Sequence, residues 1–81
     1  MLRPHRDGGL ASLAPREGEV LALMAEGRSN GAIAQALTIS DGAVEKHVGN
    51  VFGKLGLSAE AGGAGEHRRV MAVLRYLRGH E

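Results

Sequence analysis

The sequence predicts an all-α fold, a four-helix bundle that contains a helix-turn-helix. Three observations predict it. The segment from Ser29 to Leu57 reads as two helices joined by a turn only a few residues long. The second of these helices carries a one-sided apolar stripe: Val44, Val48, Val51 and Leu55 fall at i, i+4, i+7 and i+11. Aromatic residues are scarce, Phe52 and Tyr76 only, so the core must come from Leu, Val, Ile, Met and Ala, which suits small packed helices.

The elements follow in order. Met1 to Ser12 mixes Pro4, Arg3, His5, Arg6, Asp7 and two glycines with little periodicity, and reads as a flexible arm or interdomain linker. The folded domain is expected over 13–79. Pro15 opens the first helix, where its missing N–H is not needed. Glu17 and Glu19 follow near the positive helix end. Val20, Leu21 and Met24 face the core, Leu13 staples the first turn, and Gly27 stops the helix. Ser29 or Asn30 caps the second helix, whose apolar side is Ile33, Ala34 and Leu37. Thr38 to Ser40 forms the turn, with Ile39 pointing inward. Ser40 caps the third helix, Asp41 adds favourable charge to its first turn, and Gly56 ends it. Gly42, Glu45, Lys46, Gly49 and Gly53 lie opposite the apolar stripe, with Asn50 beside them and His47 at the stripe's edge. Ala59 to Gly65 is a small-residue loop. Glu66 to Arg78 forms a fourth helix, with Val70, Val73, Leu74 and Leu77 on one face and Met71 and Tyr76 leaving apolar surface elsewhere.

Composition bounds the function. The chain has 81 residues, no cysteine and a net charge of +1. One small domain fits in that length, and no disulfide or zinc-thiolate staple supports it. The lack of cysteine fits a reducing, cytoplasmic setting. No apolar run approaches the ~18 residues of a membrane span, and no signal peptide opens the chain. Of 13 glycines, Gly18, Gly31, Gly42, Gly49 and Gly53 fall inside helical segments, each costing about 1 kcal/mol relative to alanine. Catalysis has no support: Glu17/Glu19 and Asp41/Glu45 form no convergent pair, and the serines are caps without a paired base. His5, His47, His67 and His80 lack metal-ligand spacing, and GGAGEH lacks the Lys-Ser/Thr of a phosphate loop. No cofactor or metal is expected.

A helix-turn-helix crosses the DNA backbone with its first helix and places the outward face of its second in the major groove. On that outward face Glu45 is suited to accept from cytosine N4 and Lys46 to donate to guanine O6 and N7, while Gly49 permits close approach. Ser29, Asn30, Ser40, Asn50 and Lys54, with Arg16 and Arg28, are candidate phosphate contacts. His47 reads as a packed or phosphate-touching histidine. The competing reading is a protein-interaction module with weak or lost DNA affinity, motivated by the near-neutral charge and the glycine-rich outward stripe.

The run LAPREGEVLALMAEGRSNGAIAQALTISDGAVEKHVGNVFGKLGL resembles the LuxR-type (GerE/NarL-like) helix-turn-helix. That family runs Leu-Thr-Pro-Arg-Glu, Glu-Val-Leu, Gly-x-Ser-Asn, Glu-Ile-Ala, Leu-x-x-Ser, Thr-Val-Lys-x-His and Lys-Leu-Gly. The trailing HRRVMAVLRYLRG is similar to the family's last helix. The resemblance implies a double-stranded DNA-binding domain of a transcription regulator, often behind a phosphoacceptor receiver domain as the output of a two-component response regulator. It implies base reading by Glu45, Lys46 and Gly49, and a homodimer formed through the fourth helix at Val70, Met71, Leu74 and Arg75. RNA polymerase is a further expected partner, and no membrane is. The chain departs from the pattern at Ala14, where a capping Thr is usual and about 1 kcal/mol of capping is lost. It departs also at Ala43 for Thr, at Glu45 for Lys, and at Gly18 and Gly49, where longer polar or basic residues are frequent.

Overall fold

A computed structural model of the chain describes residues 9–57 and 65–79. Among these the backbone forms a short 3₁₀ turn, Leu10–Ser12, and four α-helices: α1 (Pro15–Ala25), α2 (Asn30–Leu37), α3 (Asp41–Lys54) and α4 (Gly65–Gly79). The all-helical fold read from the sequence is the observed one. The first eight residues of the expected arm and residues 59–64 of the expected loop lie outside the described residues.

The end of that expected arm packs against the helices. Gly9 is buried with φ 93°, and a Cβ there would collide with the Lys54 carbonyl oxygen. Only a residue without a side chain fits so close to the backbone at the end of α3. Ser12 N–H and Oγ–H both donate to the Gly9 carbonyl, at 3.1 and 2.7 Å, which closes the turn. Leu10 then packs against the core. Four residues are too few to show a period, so this contact left no pattern in the sequence.

Each helix end has a local cause. Ala14 is extended, as an N-cap should be, but offers no acceptor; its own N–H donates to Glu17 Oε1 at 2.8 Å, one half of a capping box. Gly27, at φ 86°, ends α1, with its N–H on the Met24 carbonyl and Arg28 N–H on that of Leu23. Ser29 Oγ accepts from Ala32 N–H at 3.2 Å, and Ser40 Oγ accepts from Ala43 N–H at 3.0 Å, capping α2 and α3. Thr38 ends α2 in the left-handed region (φ 57°, ψ 49°), which is costly for a β-branched residue. That strain makes the sharp turn between α2 and α3. Gly56, at φ 75°, follows α3.

Val20, Leu21, Met24, Ile33, Val44 and Val51 are almost wholly buried, with Val48, Phe52 and Leu55 beside them. The α3 stripe therefore forms the centre of the core, against α1 on one side and α2 on the other. Burial of each such side chain contributes about 1.5–3 kcal/mol.

In α4 the face grouped by the sequence is divided, with Val73 turned inward and its other members at the surface. Its inward residues are Ala72, fully buried, with Val73 and Tyr76 packed against the core. Val70, Leu74 and Leu77, grouped by the sequence with Val73 on one face, are 53%, 48% and 51% exposed, with Met71 at 36%. The small side chain of Ala72 lets the helix approach α1 closely. The arginines on that side reach across the interface to hold it: Arg68 lies 4.9 Å over the Phe52 ring, and Arg75 donates to the Leu55 carbonyl at the end of α3.

Candidate nucleic-acid interface

The capped N-termini of α2 and α3 open on one shared groove of about 600 Å³, lined by Ser29, Gly31, Ala32, Gln35, Ser40 and Asp41 among others. The sharp turn at Thr38 produces this arrangement, because it brings the start of α3 back beside the start of α2. Backbone N–H groups of a first helical turn have no intrahelical partner, so both ends favour anions. Asp41 works against this, placing a carboxylate in the groove.

The outward face of α3 continues from Asp41 one turn at a time. Glu45, Lys46 and Gly49 are all exposed, and a Cβ at Gly49 would meet nothing within 4 Å. These three base-reading candidates thus share one open surface. Lys46 has no carboxylate partner among the described residues. His47 is half-buried; its Nδ1 is shielded and makes no hydrogen bond among the described residues.

The other cationic candidates are already engaged. Arg16 Nη1 pairs with Glu19 Oε1 at 3.2 Å, and Arg28 Nε with Glu26 Oε1 at 2.9 Å, both in exposed pairs. Lys54 Nζ donates to Glu17 Oε1 at 2.7 Å. Glu17 is 5% exposed and is the buried charged residue of the core. The bonds from Lys54 and from the Ala14 N–H hold its carboxyl below the ordinary value of 4.5, against the opposing effect of burial; Asn50 adds a further hydrogen bond. Lys54 and Asn50, expected at phosphates, therefore form with Glu17 a cluster that ties the end of α3 to the start of α1. Sequence reading placed Glu17 only as a first-turn charge. Its position three residues after Ala14 is the one signal of the capping role; its pairing with Lys54 leaves none.

Ser29 and Ser40 act as helix caps, and Asn30 is half-buried at the first position of α2. Asn30 Oδ1 accepts from Arg69 Nη1 at 2.8 Å, while Arg69 Nη2 donates to the Arg28 carbonyl at 2.7 Å. Arg69, absent from the sequence-based candidates, thus joins α4 to the loop before α2. Of the α4 residues expected at a dimer contact, Val70, Met71 and Leu74 lie on the exposed apolar face, whereas Arg75 is half-buried and turned to the Leu55 carbonyl. An apolar groove of about 370 Å³ runs beside that face, walled by Met24, Gly27, Val70 and Leu74.

The model of the family described as "Bacterial regulatory proteins, luxR family" matches residues 11–62. The chain belongs to this family. It is 44% identical over 57 residues to the "Putative HTH-type transcriptional regulator Mb0914c" of Mycobacterium bovis, a match covering 70% of this chain and 6% of that protein. It is 43% identical over 54 residues to the "Transcriptional regulatory protein MctR" of Rhizobium johnstonii, covering 67% of this chain and 25% of that one. The chain thus spans a small part of the length of the relatives it matches. No solved structure matches it. Among the described residues, no helix is long and apolar enough to cross a membrane.

Proposed function

We propose that this luxR-family domain binds double-stranded DNA in a sequence-specific manner and is the output domain of a two-component response regulator. α3 enters the major groove. Lys46 donates to guanine, Glu45 accepts from cytosine N4, and Gly49 lets the helix approach closely. Ser29, Asn30 and Ser40 bring backbone phosphates to the paired helix N-termini, with His47 flanking them, while Asn50 stays with Glu17. Arg16 and Arg28 reach phosphate once released from their exposed glutamates, a loss of at most about 1 kcal/mol each. Lys54 remains with buried Glu17 and supports α3 from behind. Val70, Met71 and Leu74 pair two protomers through α4. The setting is cytoplasmic, with a receiver domain and RNA polymerase as partners of the whole regulator, and the domain performs no catalysis.

The observation that carries this reading is the shared groove of two capped helix N-termini beside the exposed Glu45–Lys46–Gly49 face. Selection of bound duplexes from a random pool tests it, followed by gel shifts on the selected and scrambled sites. Lys46→Ala is expected to weaken the selected site more than the scrambled one. Equal losses on both remove Lys46 from base reading.

A second reading, a protein-interaction module, draws on the ion pairing of Arg16, Arg28 and Lys54, which neutralises most of the expected cations. Failure of the chain to retain any duplex at low salt would favour it.

A further inference from the structure

We propose that Arg69 is a positioning residue for DNA binding: it turns the Asn30 side chain so that its amide N–H groups meet a backbone phosphate. The inference rests on the DNA-binding reading above and adds a residue that touches no DNA itself.

The chemistry of the pair fixes the orientation. A guanidinium only donates, so the Asn30 atom facing Arg69 Nη1 at 2.8 Å must be the carbonyl oxygen. The amide nitrogen then points away from Arg69 with both N–H donors, and no described residue takes them. Without Arg69 the amide could flip, presenting its oxygen to an approaching phosphate and repelling it. Asn30 stands at the first position of α2, next to the Ser29 cap, where the backbone N–H groups already favour an anion.

Arg69 is itself held firmly. Its second nitrogen donates to the Arg28 carbonyl at 2.7 Å, so the planar fork spans the loop and the helix start together. It lies in α4 beside Ala72, which is fully buried against the core. α4 thereby fixes the donor set at the start of α2. A lysine has one charged nitrogen and cannot reproduce the fork, which separates orientation from charge.

The test compares the wild-type chain with Arg69→Gln, Arg69→Lys, Asn30→Ala and Arg69→Gln/Asn30→Ala. Each is titrated against a duplex selected by the wild-type protein, with a thermal melt alongside. Arg69→Gln and Asn30→Ala are each expected to weaken binding about tenfold, and the double variant no further, because both remove the same donor. Losses that multiply to about a hundredfold, or an Arg69→Gln chain that binds like wild type, overturn the inference. So does Arg69→Lys with full affinity, which would assign the effect to charge. Asn30→Asp guards against variants that merely unfold. Its carboxylate keeps the Arg69 fork and the melting temperature, yet repels phosphate, so affinity should fall at least tenfold. Wild-type affinity in Asn30→Asp counts against the role. If the wild-type chain selects no duplex, the DNA reading fails and the inference with it; binding with an indifferent Arg69 sinks only the inference.

Discussion

Replacing Lys54 by methionine keeps the length of the side chain and removes its charge. Glu17 then stays 5% exposed with the Ala14 N–H and Asn50 as remaining partners. A charge-assisted hydrogen bond contributes about 1.5–3 kcal/mol. The Lys54 side chain is 39% exposed, so solvent screening reduces this to about 1–2 kcal/mol. For a domain of this size the melting temperature should fall by about 5–12 °C at pH 7. The pH dependence identifies the cause. Glu17 has a lowered folded pKa, so its contribution is fully present above the unfolded value and is lost as pH falls through the folded one. The wild-type chain should therefore lose stability as the pH drops below about 4.5, whereas Lys54→Met should converge on it there, because protonated Glu17 needs no cation. Melts followed by circular dichroism from pH 7 to pH 3 measure both. A deficit of under 2 °C at pH 7, or one that persists unchanged at pH 3, refutes the reasoning.

Four substitutions test the local geometry by the same melts. Ala14→Ser supplies the missing acceptor at an extended N-cap whose partner Glu17 is already in place, and should stabilise the domain by about 1 kcal/mol. Thr38→Asn relieves the left-handed backbone of the α2–α3 turn and should add about 0.5–1 kcal/mol; a loss would mean the hydroxyl makes an essential contact. Gly53→Ala, in open space within α3, should gain about 1 kcal/mol, whereas Gly9→Ala, which meets the Lys54 carbonyl, should lose more than that. Equal effects at the two glycines would contradict the close packing of the 3₁₀ turn on α3.

The parts of the fold written in the sequence are those with a local cause. The α3 stripe has helical period, the two serines stand one residue before their helices, and Gly27 and Gly56 stand just after theirs. All are where the structure places them. α4 was harder, because apolar residues cover most of its circumference. The choice of inward face turns on one alanine and on arginines whose partners, Phe52, Asn30 and Leu55, are distant in sequence. The same distance hid the Glu17–Lys54 pair and the contact of Gly9 with the end of α3. For the candidate interface, residue type and helical face were legible, as the exposure of Glu45, Lys46 and Gly49 illustrates. Which cations are already paired was not, since a glutamate's partner depends on packing that periodicity does not encode.

The salt dependence of binding to the selected duplex tests the central claim most directly. With Lys54 held by Glu17, Arg16 and Arg28 are the candidate phosphate cations among the described residues that can exchange an exposed glutamate for phosphate. At about 0.9 per phosphate, the plot of log affinity against log salt should fall with a slope of about −2 for one protomer and about −4 for a pair. A slope near zero, or no duplex retained at low salt, would contradict DNA binding through this face.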